Sequence, residues 1–297
     1  MKADIVVERG APRDFGRSFH HVRTQITTGL SHVLIIALGM VMLFPFLWVI
    51  STSLKLPGAA FEWPPNLIPN PVVWANYVEV FNVVPFLRFS LNTLIITILS
   101  MTGNILSCSL VGYAFARLRF PGREVLFLLC LSTMMLPHIV TLIPTFILFR
   151  YLGWIDTLLP LIVPAWFGGS AFLIFLARQF MRTIPPEYDE AARIDGAGSW
   201  RIWWEIIMPS SRPLLATIAI FSFNWAWNDF MGPLIYLNTL ENFTLALGLR
   251  FLQGYHGTEW TLMMAGAALM TLPMILVFFF TQRYFIEGMV LTGLGGR

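Results

Sequence analysis

Charge is what this chain has least of. Asp, Glu, Lys and Arg make up 12% of its 297 residues, against roughly 25% in a soluble globular domain. With 57% hydrophobic residues, it has too little polar surface to clothe a water-soluble globule, and the composition predicts an integral membrane protein. Lysine occurs only at Lys2 and Lys55. Neither follows a G-x-x-x-x-G-K-[ST] loop, whose lysine must reach nucleotide phosphates, so any ATP used on behalf of this chain is expected to be hydrolysed elsewhere. The two cysteines, Cys108 and Cys130, lie inside apolar runs and have neither a disulfide framework nor the clustered spacing of a metal site. No Ser-His-Asp or H-E-x-x-H arrangement is present, so no catalytic residue, metal ligand or cofactor site is assigned. A net charge of +3 with no basic run gives no reason to expect nucleic acid as a partner.

Long apolar runs are abundant. A hydrocarbon core of roughly 30 Å needs about 20 residues of apolar helix, and six runs qualify: 29–52, 89–116, 125–149, 158–180, 213–236 and 262–284. The first is too long for a signal-peptide core and lacks a small-residue cleavage pattern, so it is expected to remain as an anchor. Pro137, Pro144, Pro160 and Pro164 predict kinks in the third and fourth spans, tolerable where neighbouring helices or water satisfy the freed carbonyls. Fifteen of the nineteen Lys and Arg residues fall on one side of this topology; only Lys55, Arg88, Arg150 and Arg250 fall on the other. The positive-inside rule therefore puts both termini in the cytoplasm.

The proline-rich outer segment 54–88 is expected to be ordered without long helices, as a cap over the helix ends, a docking face, or both. A second outer segment, 237–261, offers another contact face. Asn92, Thr93, Asn104 and Ser107 in the second span read as polar glue between helices, and His138 as hydrogen-bonded to a neighbour. In the fifth span, Asn224 and Asn228 lie four apart on one face and Asp229 borders it. An aspartate at the centre of a spanning helix costs about 2.5–3.5 kcal/mol on insertion scales, so it should face protein or water. Three readings stand for these residues: lining a translocation path, polar contact between helices, or a loop that begins before 229.

Between spans four and five sits an island of charge, Glu187 to Ala197, continued by Trp200 to Pro213. Pro185 and Pro186 suit a helix start. Glu187, Asp189 and Glu190 favour the positive end of its dipole, and Arg193 is spaced to pair with Asp189. Gly196 reads as a left-handed stop. Ser199 is placed to cap a second helix, closed at Pro209, with Trp200, Trp203 and Trp204 as interfacial anchors.

Glu190-Ala191-Ala192, Asp195-Gly196-Ala197, Ile206-x-Met208-Pro209 and Pro213 resemble the EAA loop of the membrane subunits of bacterial ABC importers, with Met208 where that family usually has leucine. Trp227-Asn228-Asp229-Phe230 with Pro233-Leu234, and Gln282-Arg283-Tyr284-Phe285-Ile286 with Gly288 and Gly293, are similar to the carbohydrate-uptake subgroup, in particular the second permease of maltose-type systems. The likeness covers the chain from about Pro85 onward. It departs at the Gly295-Gly296-Arg297 end, where Lys-Gly is common.

The resemblance implies the type I importer fold: an all-α integral membrane protein with six transmembrane helices and a cytoplasmic coupling-helix loop between spans four and five. It divides the chain into a cytoplasmic tail 1–28, a first helix and outer loop 29–84, a transmembrane domain 85–286 with coupling helices at about 185–209, and a cytoplasmic tail 287–297. Glu190, Ala191, Ala192, Asp195, Gly196, Ala197 and Pro209 would couple to an ATPase, Glu190 by its charge, Ala191 and Ala192 by allowing close approach. Asn224, Asn228 and Asp229 would line the translocation pathway. The implied partners are a second homologous permease, two ATP-binding subunits that use ATP and Mg, an extracytoplasmic solute-binding protein and membrane lipid, in the bacterial inner membrane. The alternative is an ion-gradient-driven secondary carrier. Carriers often show internal repeats and charged midplane residues; the two halves show no convincing repeat, and Asp229 is the one clear acid within a span.

Overall fold

The computed structural model describes the backbone of residues 15–254 and 257–294, and the side chains of 28–137, 139–253 and 259–282. Its helices are α1 (Phe15–Ser53), α2 (Ala75–Val83), α3 (Phe86–Arg117), α4 (Arg123–Ser132), α5 (His138–Tyr151), α6 (Leu159–Ile162), α7 (Ala171–Thr183), α8 (Glu187–Ile194), α9 (Ser199–Ile202), α10 (Met208–Ser210), α11 (Arg212–Trp227), α12 (Met231–Tyr236), α13 (Leu245–Gly248) and α14 (Trp260–Leu294). Among the described residues the one β pairing joins Gln253–Gly254 to Gly257–Thr258, so the all-helical expectation holds. The N-terminal tail before Phe15, the side chain of His138 and the side chains beyond Gln282 lie outside the described residues.

Four stretches are long and apolar enough to cross a bilayer unaided: Thr28–Ser53, Phe86–Arg117, Leu159–Thr183 and Trp260–Gln282. They coincide with the first, second, fourth and sixth expected spans. The third span is not one kinked helix. It is two, Arg123–Met135 and Ile139–Tyr151, set at 104°. Pro137 drives the residue before it out of the helical region, and Leu136 is accordingly extended, with ψ 119°. The fourth span is also interrupted: a 3-10 turn Val163–Phe167 ends at Gly168 with φ 74°, and α7 restarts after Ser170, whose hydroxyl accepts the Leu173 N–H.

α3 is the helix on which the others pack, chiefly α7 and α11. Its buried positions include Thr93, Thr97, Ser100 and Asn104, spaced four, three and four apart on one face, where small polar residues permit close approach and hydrogen bonds between helices. Asn104 donates to Ser222 Oγ of α11 at 3.1 Å, and Ser107 to the Ala165 carbonyl in the interrupted span at 2.7 Å. Asn92 donates to the Glu241 and Phe243 carbonyls, and the Thr93 hydroxyl accepts the Leu245 N–H. Asn104 and Ser107 are the interhelical glue that the sequence suggested, whereas Asn92 and Thr93 tie the start of α3 to the segment 241–245. The apolar core divides into two clusters along α3. One, toward the Arg117 end of α3, gathers Tyr113, Leu173, Ala177, Met181, Ala192 and Trp203, and the other, toward its Phe86 end, Val80, Phe89, Trp227, Leu245, Leu252 and Leu262.

The outer segment after α1 is ordered around a 3-10 turn and α2. Asn76 donates to both the Ser53 and Lys55 carbonyls at 2.8 Å, Ser51 Oγ donates to the Leu67 carbonyl, and the Lys55 ammonium lies 5.0 Å from the Trp48 ring centre. α1 packs along α14, and its large apolar side chains from Leu30 to Phe46 are each more than half exposed, a surface fit for lipid or another membrane helix.

α3 and α7 approach closely at Gly112, where a Cβ would stand 2.5 Å from the Ala177 Cβ. Gly112→Val is expected to cost about 1–3 kcal/mol or more by overpacking, read as a lowered melting temperature of the purified protein in detergent. Gly198→Val, at a glycine with open space around it, should leave that temperature nearly unchanged.

Candidate functional site

α8 begins directly after Pro185-Pro186, with Glu187, Asp189 and Glu190 in its first turn. It ends as the sequence predicts. Gly196 takes φ 82°, its N–H bonds the Arg193 carbonyl at 3.0 Å, and the Ala197 N–H reaches back to the Ala192 carbonyl at 2.9 Å. This is the paired closure of a Schellman cap. The helix turns one flank, Asp189 and Ala192, into the protein and leaves Glu187, Tyr188, Glu190, Ala191, Arg193 and Ile194 exposed. Ile194 is 87% exposed, an apolar side chain on the free flank. Asp195 and Gly196 are exposed and Ala197 half-buried. Ala191 thus lies on the free surface, while Ala192 packs in the same core cluster as Tyr113 and Trp203.

The expected Asp189–Arg193 pair does not form. Asp189 turns inward to Arg117 at the end of α3, with Nε to Oδ2 3.6 Å and both side chains under one-tenth exposed. Arg117 Nη2 also donates to the Ile184 carbonyl at 2.5 Å. A second buried arginine braces the same region: Arg178 of α7 donates to Glu124 of α4 at 2.8 Å, and its guanidinium stands 3.9 Å from the Phe127 ring centre. Arg117 closes α3 and Arg178 lies midway along α7, and each meets an acid of another element.

The second arm differs from expectation. Gly198, not Ser199, occupies the N-cap, and the helix does not close at Pro209 but runs on to Ser210. Between Ile202 and Met208 it widens into a π turn, Trp203–Ile207. Proline supplies no N–H and its ring collides with the carbonyl four residues back, here Glu205, and a π turn relieves that collision by opening the spacing. Trp203 is not an interfacial anchor, being 2% exposed within the core cluster that holds Tyr113 and Ala192. Trp200 and Trp204 are exposed. Beyond Ser211 the chain turns by 82° into α11, with Pro213 in that helix's first turn.

α11 ends at Trp227, so the fifth span is shorter than 213–236. Asn228 is its C-cap and donates from Nδ2 to the Asn224 carbonyl at 2.9 Å and to Asn224 Oδ1 at 3.0 Å. Such local side-chain bonds compete with helix continuation. Asp229 lies past the helix end, its Oδ1 accepting the Gly232 N–H at 3.0 Å at the start of α12. Asn224, Trp225 and Asn228 are exposed, and Asn228 borders a groove of about 440 Å³ with Phe46, Met270, Thr271, Met274 and Phe278. Asn224 and Asn228 are thus brought together, and Asp229, the next residue, caps the start of α12.

Residues 108–290 match the family described as the binding-protein-dependent transport system inner membrane component. The chain belongs to that family. It is 33% identical over 268 residues to the sn-glycerol-3-phosphate transport system permease protein UgpE of Yersinia pestis, covering 87% of this chain and 94% of that one. It is 31% identical over 279 residues to the galactooligosaccharides transport system permease protein GanQ of Bacillus subtilis, covering 93% and 98%. Among solved structures it resembles a chain of a bacterial ABC transporter involved in the import of the acidic polysaccharide alginate, with TM-score 0.77, 25% identity and coverage of 88% and 97%. A chain of the MetNI methionine ABC transporter shares the fold alone, with TM-score 0.51, 21% identity and coverage of 67% and 93%. The chain is an ABC importer permease of the type I fold, a multi-pass membrane protein. The ion-gradient carrier reading gains no support from these likenesses.

On the outer side this permease carries a clamp that its sequence did not disclose. Asp156 sits at φ 62°, and its Oδ1 accepts the N–H groups of Asn238 and Thr239 at 2.8 and 2.9 Å, with Asn242 Nδ2 on its carbonyl at 2.7 Å. One carboxylate therefore ties the loop before α6 to the segment after α12. The Thr239 and Asn238 N–H groups, in that order, hold its pKa below the ordinary aspartate value. A depressed carboxylate contributes stability above its unfolded pKa and loses it as pH falls through the folded one. The clamp should therefore persist at neutral and mildly acidic pH and open only below about pH 3.9. Asp156→Asn should raise hydrogen exchange in residues 237–242 at pH 7, while exchange in α8 stays unchanged. At Gly196 a β-branched residue is forced into a left-handed backbone, a cost of about 1–2 kcal/mol. Gly196→Val is expected to preserve membrane insertion but to abolish solute-stimulated ATP hydrolysis by the assembled transporter.

Proposed function

We propose that this permease forms half of the translocation pathway for a carbohydrate or carbohydrate-derived solute and is driven by a separate ATPase subunit gripping the α8–α9 elbow. The observation that carries this reading is the two-faced elbow. One flank is bound into the cytoplasmic core, and the other offers Glu187, Glu190, Ala191 and Ile194 to a partner. Glu190, Ala191, Asp195 and Gly196 supply the exposed contact. Ala192, Ala197 and Pro209 hold its shape. The solute class is supported by the names of the relatives, a sn-glycerol-3-phosphate permease and a galactooligosaccharides permease. A second homologous permease would complete the pathway, and an extracytoplasmic binding protein would deliver solute. ATP and Mg are used by two ATPase subunits, a division of labour supported by the lysines of this chain, neither of which follows a phosphate-binding loop. The bias of Lys and Arg supports both termini and the elbow lying in the cytoplasm of a bacterial inner membrane.

In this reading, closure of the ATPase pair moves the elbow and shifts the bundle between inward-open and outward-open populations, because the partner binds the two states with different affinity. Asn224 and Asn228, exposed on α11, line the path, and Asp229, next in the chain, caps the start of α12 beyond them. Glu190→Lys reverses the charge on the exposed flank without touching the buried one. It is expected to weaken retention of the ATPase subunit at least ten-fold in pull-downs from membranes, a loss of about 1.4 kcal/mol, and normal retention would remove Glu190 from the interface.

A further inference from the structure

The seat of α8 on α3 is charged, buried and unfinished. Arg117 and Asp189 meet at 3.6 Å, near enough for attraction and too far for a hydrogen bond. Four buried polar atoms of this cluster lack a hydrogen-bond partner: Arg117 Nε, Asp189 Oδ1, Tyr113 Oη and Trp203 Nε1. Tyr113 precedes Arg117 by four residues and so shares its face of α3, within electrostatic range of Asp189. In a low-dielectric site, unpaired polar groups are costly and a completed charge-assisted bond of about 2.7–2.9 Å is strong. The distance from the observed contact to a completed one is under an ångström. α8 has the build to travel that far as a unit, with a rigid Pro185-Pro186 entry and a closed Schellman exit.

We propose that Arg117, Asp189 and Tyr113 form a two-position seat for α8. In the arrangement described here Asp189 is held at ion-pair distance. When the ATPase partner loads the elbow, its carboxylate advances onto Arg117 Nε and the Tyr113 hydroxyl, so that motion enters α3 as well as α11. Asp189 is then a positioning residue, acting through α3. The proposal rests on the coupling reading above and adds a route, since α3 spans both core clusters and carries a displacement from Arg117 toward Phe89 and the outer loops.

The test uses the assembled transporter in lipid nanodiscs. Spin labels are placed at Arg119→Cys and Gly198→Cys, both exposed, with Cys108 and Cys130 replaced by serine. The separation is measured without nucleotide and with ATP plus vanadate. The parent should show a nucleotide-dependent change. Asp189→Asn, which keeps shape and removes charge, should at least halve that change while the ATPase stays bound, and Asp189→Glu should restore part of it. Tyr113→Phe, which removes one hydroxyl, should also diminish the change, and it keeps the question open to measurement if the Asn variant fails to assemble. A merely structural role would lower the melting temperature and leave the nucleotide-dependent change intact. A full change in Asp189→Asn or Tyr113→Phe with the ATPase retained overturns the seat alone. No change in the parent overturns the coupling reading and the seat with it.

Discussion

The close fit of α3 against α7 and α11 is the constraint on which the rest of this permease depends. Lipid tails offer helices no hydrophobic reason to associate, so contact must come from packing and interhelical polar bonds. α3 supplies both. Gly112 lets Ala177 approach to where no side chain fits, and Asn104 and Ser107 bond to separate neighbours. The two buried arginines are gathered at the C-terminal end of that helix, where Arg117 meets α8 and Arg178, bonded to the Phe115 carbonyl, meets α4.

The elbow is consequently not a loop hung between two spans. Its buried flank belongs to the same cluster as the middle of α7 and the beginning of α11, and only the other flank is surface. This division explains how so polar a segment keeps a fixed shape beside a membrane. Asp189 is costly to bury alone and is accepted because a guanidinium faces it. The alternation of exposed and buried positions then decides which residues are open to contact from outside the chain.

Much of this was legible in the sequence, and the failures are local. Long apolar runs gave four spans closely, because bilayer thickness is a strict ruler. The left-handed end at Gly196 followed from glycine's freedom of φ. Proline misled in both directions: Pro137 splits the third span outright where a kink was expected, and Pro209 widens its helix instead of closing it. Asn228 and Asp229 were drawn inside a helix because apolar neighbours on both sides hid the short polar bonds that end it. Partners distant in the chain, Asp189 with Arg117 or Asp156 with Asn238, could not be read from spacing, since nothing in a linear pattern says which helix ends meet. The i,i+4 rule proposed Arg193 for Asp189, and burial chose otherwise.

The π turn at Trp203–Ile207 has a geometric corollary. A helix turns about 100° with each residue, so the additional residue held in that turn sets the rotational phase between the two arms of the elbow and the span that follows. Length here is therefore fixed more tightly than composition. Exposed side chains on α8 and α9 are free to vary, but losing a single position between Trp200 and Pro213 would swing the whole face of the elbow around, turning Trp203 and Ile207 outward where Trp200 and Trp204 now stand.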